Sequence, residues 1–336
     1  MVKKCCIILL NKCSREVQKV KNRSKAFFVN GGAGRVISSI PAFEMYEKEN
    51  PDDDFIIICE GGTDMFHGHP TLHKRVFDNW HKGLFEEKIK SRDCVSLEPY
   101  RIWEYYNQKA NITQAFDIEM SSKGVRPMNK PTLVLNTPEG LEGAAVVREV
   151  KEKTSKQRLI VFQPFGRSTQ PFGDTIADPG GRSFRPDDVV KVIKKLQEKY
   201  AIILMSEFPT DYQKLGCNQP VAQPEGAPLR HWAGIINAAD CFIGCDSVGQ
   251  HMAYALDVPS VVVVGSTYPE NISYPDSKTF QVLDLGEGKR RYDPIRITME
   301  DEYARAHDRL MYLDDAAVRE ICKEVDAKVA AAAGRT

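Results

Sequence analysis

The sequence predicts an α/β protein built from two facing Rossmann-like domains with mostly parallel sheets. Three observations carry that prediction. Continuous runs of β-branched and aromatic residues recur along the chain, helical periodicity separates them, and the alternation occurs twice, from about residue 25 to 136 and again from 158. A chain of 336 residues is long enough for two domains of ordinary size. The expected division is an N-terminal domain over 1–145, a linker over 146–158, a C-terminal domain over 159–312 and a closing helix over 313–336.

The strand-like runs are KAFFVN (25–30), DFIIICE (54–60), TLVLN (132–136), RLIVFQP (158–164), YAIILMS (200–206), DCFIGC (240–245) and SVVVVGS (260–266). Several lack any polar alternation, as expected of strands covered on both faces. Over 37–50, Ile37, Ile40, Phe43 and Met45 share one side of a predicted helix. Over 185–200, Pro186-Asp187-Asp188 opens a helix that places Val189, Val192, Ile193 and Leu196 on one face. The segment 136–158 is polar and charged and reads as the connection between domains, while 313–333 reads as an amphipathic helix with an alanine-rich end. YRIWEYYNQ (100–108) is the densest aromatic stretch; helical spacing sends Ile102, Tyr105 and Tyr106 to a core, although aromatic faces also stack on sugars and bases. No short repeat is present, which excludes a solenoid.

Composition narrows the function classes. Hydrophobic content of 42% supports a core, and a formal net charge of +0 provides no global field toward nucleic acid or membrane. Charge is uneven, however: residues 1–25 carry eight basic residues against Glu16 alone, a stretch suited to a polyanion or an anionic membrane surface. The nine cysteines are scattered without paired spacing, which predicts reduced thiols, a cytoplasmic setting and no zinc site. The apolar run CCIILL is too short to span a bilayer.

The chemistry concentrates in CFIGCDSVGQHMAYALDVPSVVVVGST (241–267), where a strand passes to a helix and on to another strand. Asp246 or Ser247 is placed to cap the helix, and the N–H groups of such a start, with Gly249, Gln250 and His251 beside them, favour an anion such as phosphate. Gly265-Ser266-Thr267 ends the next strand and should lie on the same sheet edge. Two small, hydroxyl-rich loops side by side suit a diphosphate.

This segment resembles the donor site of the heptosyltransferase-like glycosyltransferases, which use ADP-heptose to build lipopolysaccharide. Asp246, Ser247, His251, Ala253, Ala255, Pro259, Gly265 and Thr267 match that family's pattern; Val248 stands where glycine is usual, with Gly249 next to it. Upstream, 163–196 resembles the first loop of the family's C-terminal domain, and Arg182 falls near its basic residue. Arg182 and Arg167 are the candidates to counter donor phosphate charge, since a guanidinium binds phosphate oxygens in pairs. The stretch GGAGRVISSIPAFEMYEKENPDD resembles the family's opening motif through Gly34, Ile40, Pro41, Ala42 and Phe43.

At one position the pattern breaks. The family carries an aspartate, proposed as base, where this chain has Arg35, and a guanidinium takes no proton at neutral pH. Either the base lies elsewhere or Arg35 binds an anionic group. CEGGTDMFHGHPTLHKR (59–75) offers replacements: Asp64 first and Glu60 second as base, with His67 and His69 toward an acceptor.

The resemblance implies the GT-B arrangement: a glycosyltransferase, metal-independent and inverting, with a nucleotide-sugar as substrate and no cofactor. The sugar would be a hexosyl, heptosyl or pentosyl group, and the acceptor a glycolipid or a nucleic acid. Its expected setting is cytoplasmic, at a membrane surface or on DNA. The rival readings are a phage-type enzyme that glycosylates hydroxylated DNA bases and a nucleotide-sugar-binding protein without catalysis.

Overall fold

A computed structural model describes residues 23–173, 175–291 and 308–333. The basic stretch 1–25 lies outside the described residues except for its last three positions. Two parallel sheets organise the chain. The first contains β1 (Lys25–Val29), β2 (Ile56–Cys59), β3 (Val76–Asp78) and β4 (Asp93–Leu97) in the order β3-β2-β1-β4. Helix α1 (Ala33–Glu49) follows β1; α2 (Trp103–Tyr106) and α3 (Ile112–Ser121) follow β4.

Helix α4 (Thr137–Thr154) leads into the second sheet, so most of the segment predicted as linker is helical. That sheet contains β5 (Leu159–Gln163), β8 (Ala201–Leu204), β9 (Cys241–Gly244), β10 (Ser260–Val264) and β11 (Phe280–Asp284) in the order β11-β10-β9-β5-β8. A small antiparallel hairpin, β6 (Gln170–Phe172) with β7 (Thr175–Ala177), stands in the loop after β5. Helices α5 (Pro186–Leu196), α6 (Leu229–Ala238), α7 (Val248–Ala255), α8 (Pro269–Ile272) and α9 (Asp315–Ala333) complete the chain.

The second sheet is covered on both faces. Val161, Ile203, Phe242 and Val262 pack with Trp232, Ala233 and Met252 of α6 and α7, while Ile160, Ile202, Ile243 and Val263 pack with Val192 and Ile193 of α5 and Ile321 and Val325 of α9. Burying each such side chain contributes roughly 1.5–3 kcal/mol. The first sheet is covered unequally. Phe27, Val29 and Ile57 bury against Ile37, Ile40 and Phe43 of α1 and Phe116 of α3; on the opposite face Ala26, Ile56 and Ile58 meet, among the described residues, only Leu84 and Ile89, with Phe28 and Phe77 partly buried beside them.

Helix α4 packs along α6 over the second sheet, while α1 meets α7 between the two units. A Cβ on Gly143 would lie 2.2 Å from the carbonyl carbon of Gly234, so the α4–α6 crossing requires glycine. TLVLN (132–136) is not a strand. It runs outside both sheets, and the Val134 carbonyl accepts from Arg230 Nη2 at 2.5 Å instead of from a neighbouring strand. In the aromatic stretch Tyr105 is buried as expected, but Tyr106 is exposed. Among the described residues, no helix is long and apolar enough to cross a membrane.

Candidate functional site

Helix α7 begins at the end of β9 with Ser247 as N-cap, and that cap makes no side-chain hydrogen bond. The expected capping role is therefore not what places polar residues here. The side chain of Gln163, at the end of β5, accepts from the Gly249 N–H at 2.8 Å. Asp246 is buried and faces Arg182, with Nη1 3.7 Å from its Oδ2, and accepts from Gln250 Nε2 at 3.3 Å.

Helix α1 begins in the same way. Its N-cap Gly32 has no side chain to offer and its first turn holds no acidic residue. The two starts touch: a Cβ on Gly34 would lie 2.9 Å from His251 Cδ2 and 3.4 Å from Val248 Cα. Each helix start carries about half a positive charge on its N–H groups. Bringing two together without a cap from either Gly32 or Ser247 creates a strongly anion-attracting junction.

Arg167 adds a full charge. It is exposed, and its Nη1 lies 3.0 Å from where a Cβ on Gly32 would stand. Gly166, just before it, approaches the Asp246 carbonyl, 3.7 Å from where its own Cβ would be. No carboxylate among the described residues pairs with Arg167.

Arg182 is engaged differently. Burial opposes its charge, yet Asp246 and Asp178 outweigh burial and raise its pKa. Burial likewise opposes charge on Asp178, but Arg182 and the hydroxyls of Ser168 and Ser183 outweigh it, leaving the carboxyl below its usual range. Asp178 also accepts from the N–H groups of Gly180 (2.8 Å), Ser183 (2.9 Å) and Arg182 (3.1 Å). Arg182 thus fixes the 178–183 loop against Asp246. The Ser266 hydroxyl donates to the Gly180 carbonyl at 3.0 Å, bringing the 265–267 loop to the same place. The Thr267 hydroxyl is buried without a hydrogen-bond partner among the described residues, and Gly265 packs so closely on Leu310 and Met311 that a Cβ would fall 2.9 Å from each.

His251 lies across the unit boundary. Its Nδ1 shares a hydrogen bond with the Tyr274 hydroxyl at 2.7 Å and stands 3.4 Å from Ser38 Oγ of α1. Burial lowers its pKa to about 4, against a weaker upward pull from Asp246. The imidazole is therefore neutral at pH 7.

On the side of the first sheet, Glu60 follows β2, and its Oε2 accepts from the Gly31 N–H at 2.7 Å. That bond holds Gly31, whose φ of +101° suits glycine, immediately before the start of α1. Asp64 sits farther along, half-buried in the short turn Thr63–Phe66, and His67 is exposed at that turn's end. His69 is buried with both ring nitrogens engaged: Nε2 with Glu44 Oε1 at 2.9 Å, and Nδ1 with the Leu72 and Thr71 N–H groups at 3.0 and 3.3 Å. It anchors the loop to α1.

Arg35 is also committed internally. It donates to the Leu97 carbonyl at 2.5 Å, lies 3.5 Å from Glu98 and covers the rings of Tyr100 and Phe116. No group of three or more His, Cys, Asp or Glu side chains among the described residues is arranged to hold a metal.

The structure thus gathers Gly34, Arg167, Arg182, Asp246, Ser247, Gly249, Gln250, His251 and the 265–267 loop, with Glu60 at the rim. Sequence reasoning passed over Gln163, Ser38 and Tyr274. Gln163 had left a trace: a polar residue closing an otherwise apolar strand.

No protein-family profile matches the sequence, and no curated protein matches it. Solved structures do. The glycosyltransferase family 9 protein of Veillonella parvula superposes with a TM-score of 0.61 over 92% of this chain and 97% of its own, at 13% identity. The iron-containing dodecameric glycosyltransferase TibC of enterotoxigenic E. coli gives 0.60 over 92% of this chain and 80% of its own, again at 13% identity. The E. coli ADP-heptose lipopolysaccharide heptosyltransferase II gives 0.52 over 92% and 99%, also at 13%. Likeness at that identity is a likeness of fold: the chain has the two-sheet GT-B architecture of the heptosyltransferases, the family that residues 241–267 resemble.

Proposed function

We propose that the protein is a glycosyltransferase that moves a sugar from a nucleotide-sugar to an acceptor hydroxyl. The observation that carries this reading is the meeting of two helix starts, at Gly32 and Ser247, neither capped by its own N-cap side chain, beside the guanidinium of Arg167, which pairs with no carboxylate among the described residues. A donor diphosphate placed there meets N–H groups from both units and a bidentate cation. The same groups act on the reaction. Negative charge grows on the departing nucleoside diphosphate as the glycosidic bond breaks, and fixed N–H dipoles stabilise it without reorganising.

Sugar transfer passes through an oxocarbenium-like state, and a carboxylate assists by taking the acceptor proton. Glu60 is the proposed base, in preference to Asp64, because its carboxylate reaches Gly31 beside the helix start. A base on the acceptor side and a leaving group on the other favour one displacement with inversion. The non-catalytic reading drew on Arg35 in the place of an aspartate; Glu60 supplies a carboxylate by another route.

A thermal-shift titration tests this with nucleoside diphosphates and nucleotide-sugars, including ADP-heptose, the donor named for one of the structural neighbours. One nucleotide class should raise the melting temperature, because a ligand that binds only the folded state stabilises it. The shift should shrink in Arg167→Ala. No shift from any nucleotide or nucleotide-sugar would defeat the reading.

A further inference from the structure

The half-covered face of the first sheet ends in an opening. Toward the carboxyl ends of the strands it forms a cavity of about 510 Å³, lined by Phe28, Asn30, Ile58, Glu60 and Asn79. That volume lies within the roughly 300–1,000 Å³ of ordinary ligand sites. Asn30, Glu60 and Asn79 each follow directly on a strand, β1, β2 and β3, so three polar side chains arrive from adjacent strand ends. This is the edge at which α/β sheets take ligands. The apolar part of the lining is Phe28 and Ile58, and among the described residues no lysine, arginine or histidine takes part in it.

We propose that this cavity is the acceptor subsite and that it takes an uncharged hydroxylated group, a glycosyl or polyol moiety, in preference to a phosphorylated or carboxylated one. The assignment rests on the glycosyltransferase reading only in naming the bound group an acceptor. Primary amides both donate and accept, which matches hydroxyls, and the Phe28–Ile58 surface suits the C–H face of a sugar ring. Glu60 accepts from a hydroxyl but repels an anion, and no cation among the described lining residues offsets that repulsion. Glu60 also joins the cavity to the donor side through its bond to Gly31, next to Gly32 and Arg167. In the transfer, Glu60 takes the hydroxyl proton and the acceptor oxygen bonds to the anomeric carbon. The carbon–oxygen bond to the diphosphate breaks as that new bond forms, and the nucleoside diphosphate leaves with its electron pair.

Ligand-observed NMR on the full chain tests the proposal. The neutral probes are maltose, mannobiose and diacetylchitobiose; the charged probes are phosphorylated glucose, glucuronate and a short oligothymidylate. A neutral saccharide should bind best and weaken about tenfold in Asn79→Ala, the usual cost of one or two lost hydrogen bonds. Nucleotide affinity should stay unchanged. Asn30→Ala reads the same cavity if Asn79→Ala does not fold. Glu60→Gln should strengthen glucuronate binding about tenfold by removing the repulsion, an effect that a merely structural glutamate would not produce.

The proposal is overturned if a charged probe outbinds every neutral saccharide, if no saccharide binds, or if both asparagine variants bind as the parent does. A nucleotide shift without any saccharide binding sinks the acceptor subsite and leaves the glycosyltransferase reading standing. Saccharide binding lost with Asn79 but no nucleotide shift does the reverse.

Discussion

Two kinds of helix start occur in this molecule. Helices α3 and α4 open on Asn111 and Asn136 with complete capping boxes: Asn111 Oδ1 accepts from Gln114 N at 2.9 Å, Asn136 Oδ1 accepts from Glu139 N at 2.8 Å, and each third residue returns a bond. Helices α1 and α7 open on Gly32 and Ser247 with no side-chain capping bond, and these are the two starts that face each other. Caps satisfy N–H groups that would otherwise seek water. Where the cap side chain is withheld and the ends converge, the fold leaves donors for something that arrives later, although at α7 the Gln163 side chain already takes the Gly249 N–H. The starts of α5 and α6 also lack a side-chain cap, so it is the convergence of the α1 and α7 starts, and not the missing cap alone, that marks this pair for a ligand.

The strongest way to break this comparison is to separate the facing starts. Gly34→Val places a side chain where His251 Cδ2 already stands 2.9 Å from the Cβ position. Overpacking of that kind costs about 1–3 kcal/mol. The expected result is a lowered melting temperature and loss of the nucleotide-induced shift. A variant that binds nucleotide normally would show that the junction is not the site.

A smaller change tests the charge alone. Arg167→Ala removes an exposed guanidinium that makes no ion pair within the described residues, so the fold should stay as stable as before. Charge-assisted hydrogen bonds contribute about 1.5–3 kcal/mol, which means nucleotide affinity should fall by roughly 10–100-fold by calorimetry. Arg182→Ala should behave differently, because Arg182 joins Asp178 and Asp246. Both stability and binding should suffer, and a loss of binding alone would contradict that role.

The contrast also explains what was legible beforehand. Runs such as LIVFQ, AIIL, CFIG and SVVVV are buried along their whole length, so hydrophobicity alone marked them as strands. β3, β4, β8 and β11 lie at sheet edges; β8 is buried along its length and was legible, whereas β4 has a single buried residue, Leu97. An edge strand of that kind takes its definition from its neighbour's hydrogen bonds, which leave little trace in composition. The donor loops were visible because small, hydroxylated and acidic residues interrupt apolar runs. Individual roles were not visible, because they depend on contacts between residues distant in sequence: His251 with Tyr274, Gln163 with Gly249, and Arg35 with Leu97, 62 positions away.

His251 gives the comparison a pH dependence. Burial lowers its pKa to about 4, below the ordinary value of 6.5, so the folded state holds a neutral ring where the unfolded chain would bind a proton. Its stabilising contribution is complete above pH 6.5 and is lost as the pH falls toward 4, up to roughly 3 kcal/mol. Asp246 pulls the other way but does not reverse the shift. Melting temperature measured from pH 7.5 down to 4.5 should fall more steeply in the parent than in His251→Gln. Equal slopes would remove His251 as the titrating link between the units.

The smallest effect is the most discriminating. Asn136 caps α4 far from the facing starts, and Glu139, its partner in the capping box, also holds Arg230. Asn136→Ala should cost about 1 kcal/mol and leave nucleotide binding untouched. Ser247 occupies the same position in α7 without a capping bond, so Ser247→Ala should leave the melting temperature of the free protein unmoved and reduce only the shift that nucleotide produces. Chemical denaturation of both variants, with and without nucleotide, separates the two. If Ser247→Ala destabilises the free protein as much as Asn136→Ala does, its hydroxyl caps the helix in solution after all, and the distinction between the two kinds of helix start fails at the position where it matters most.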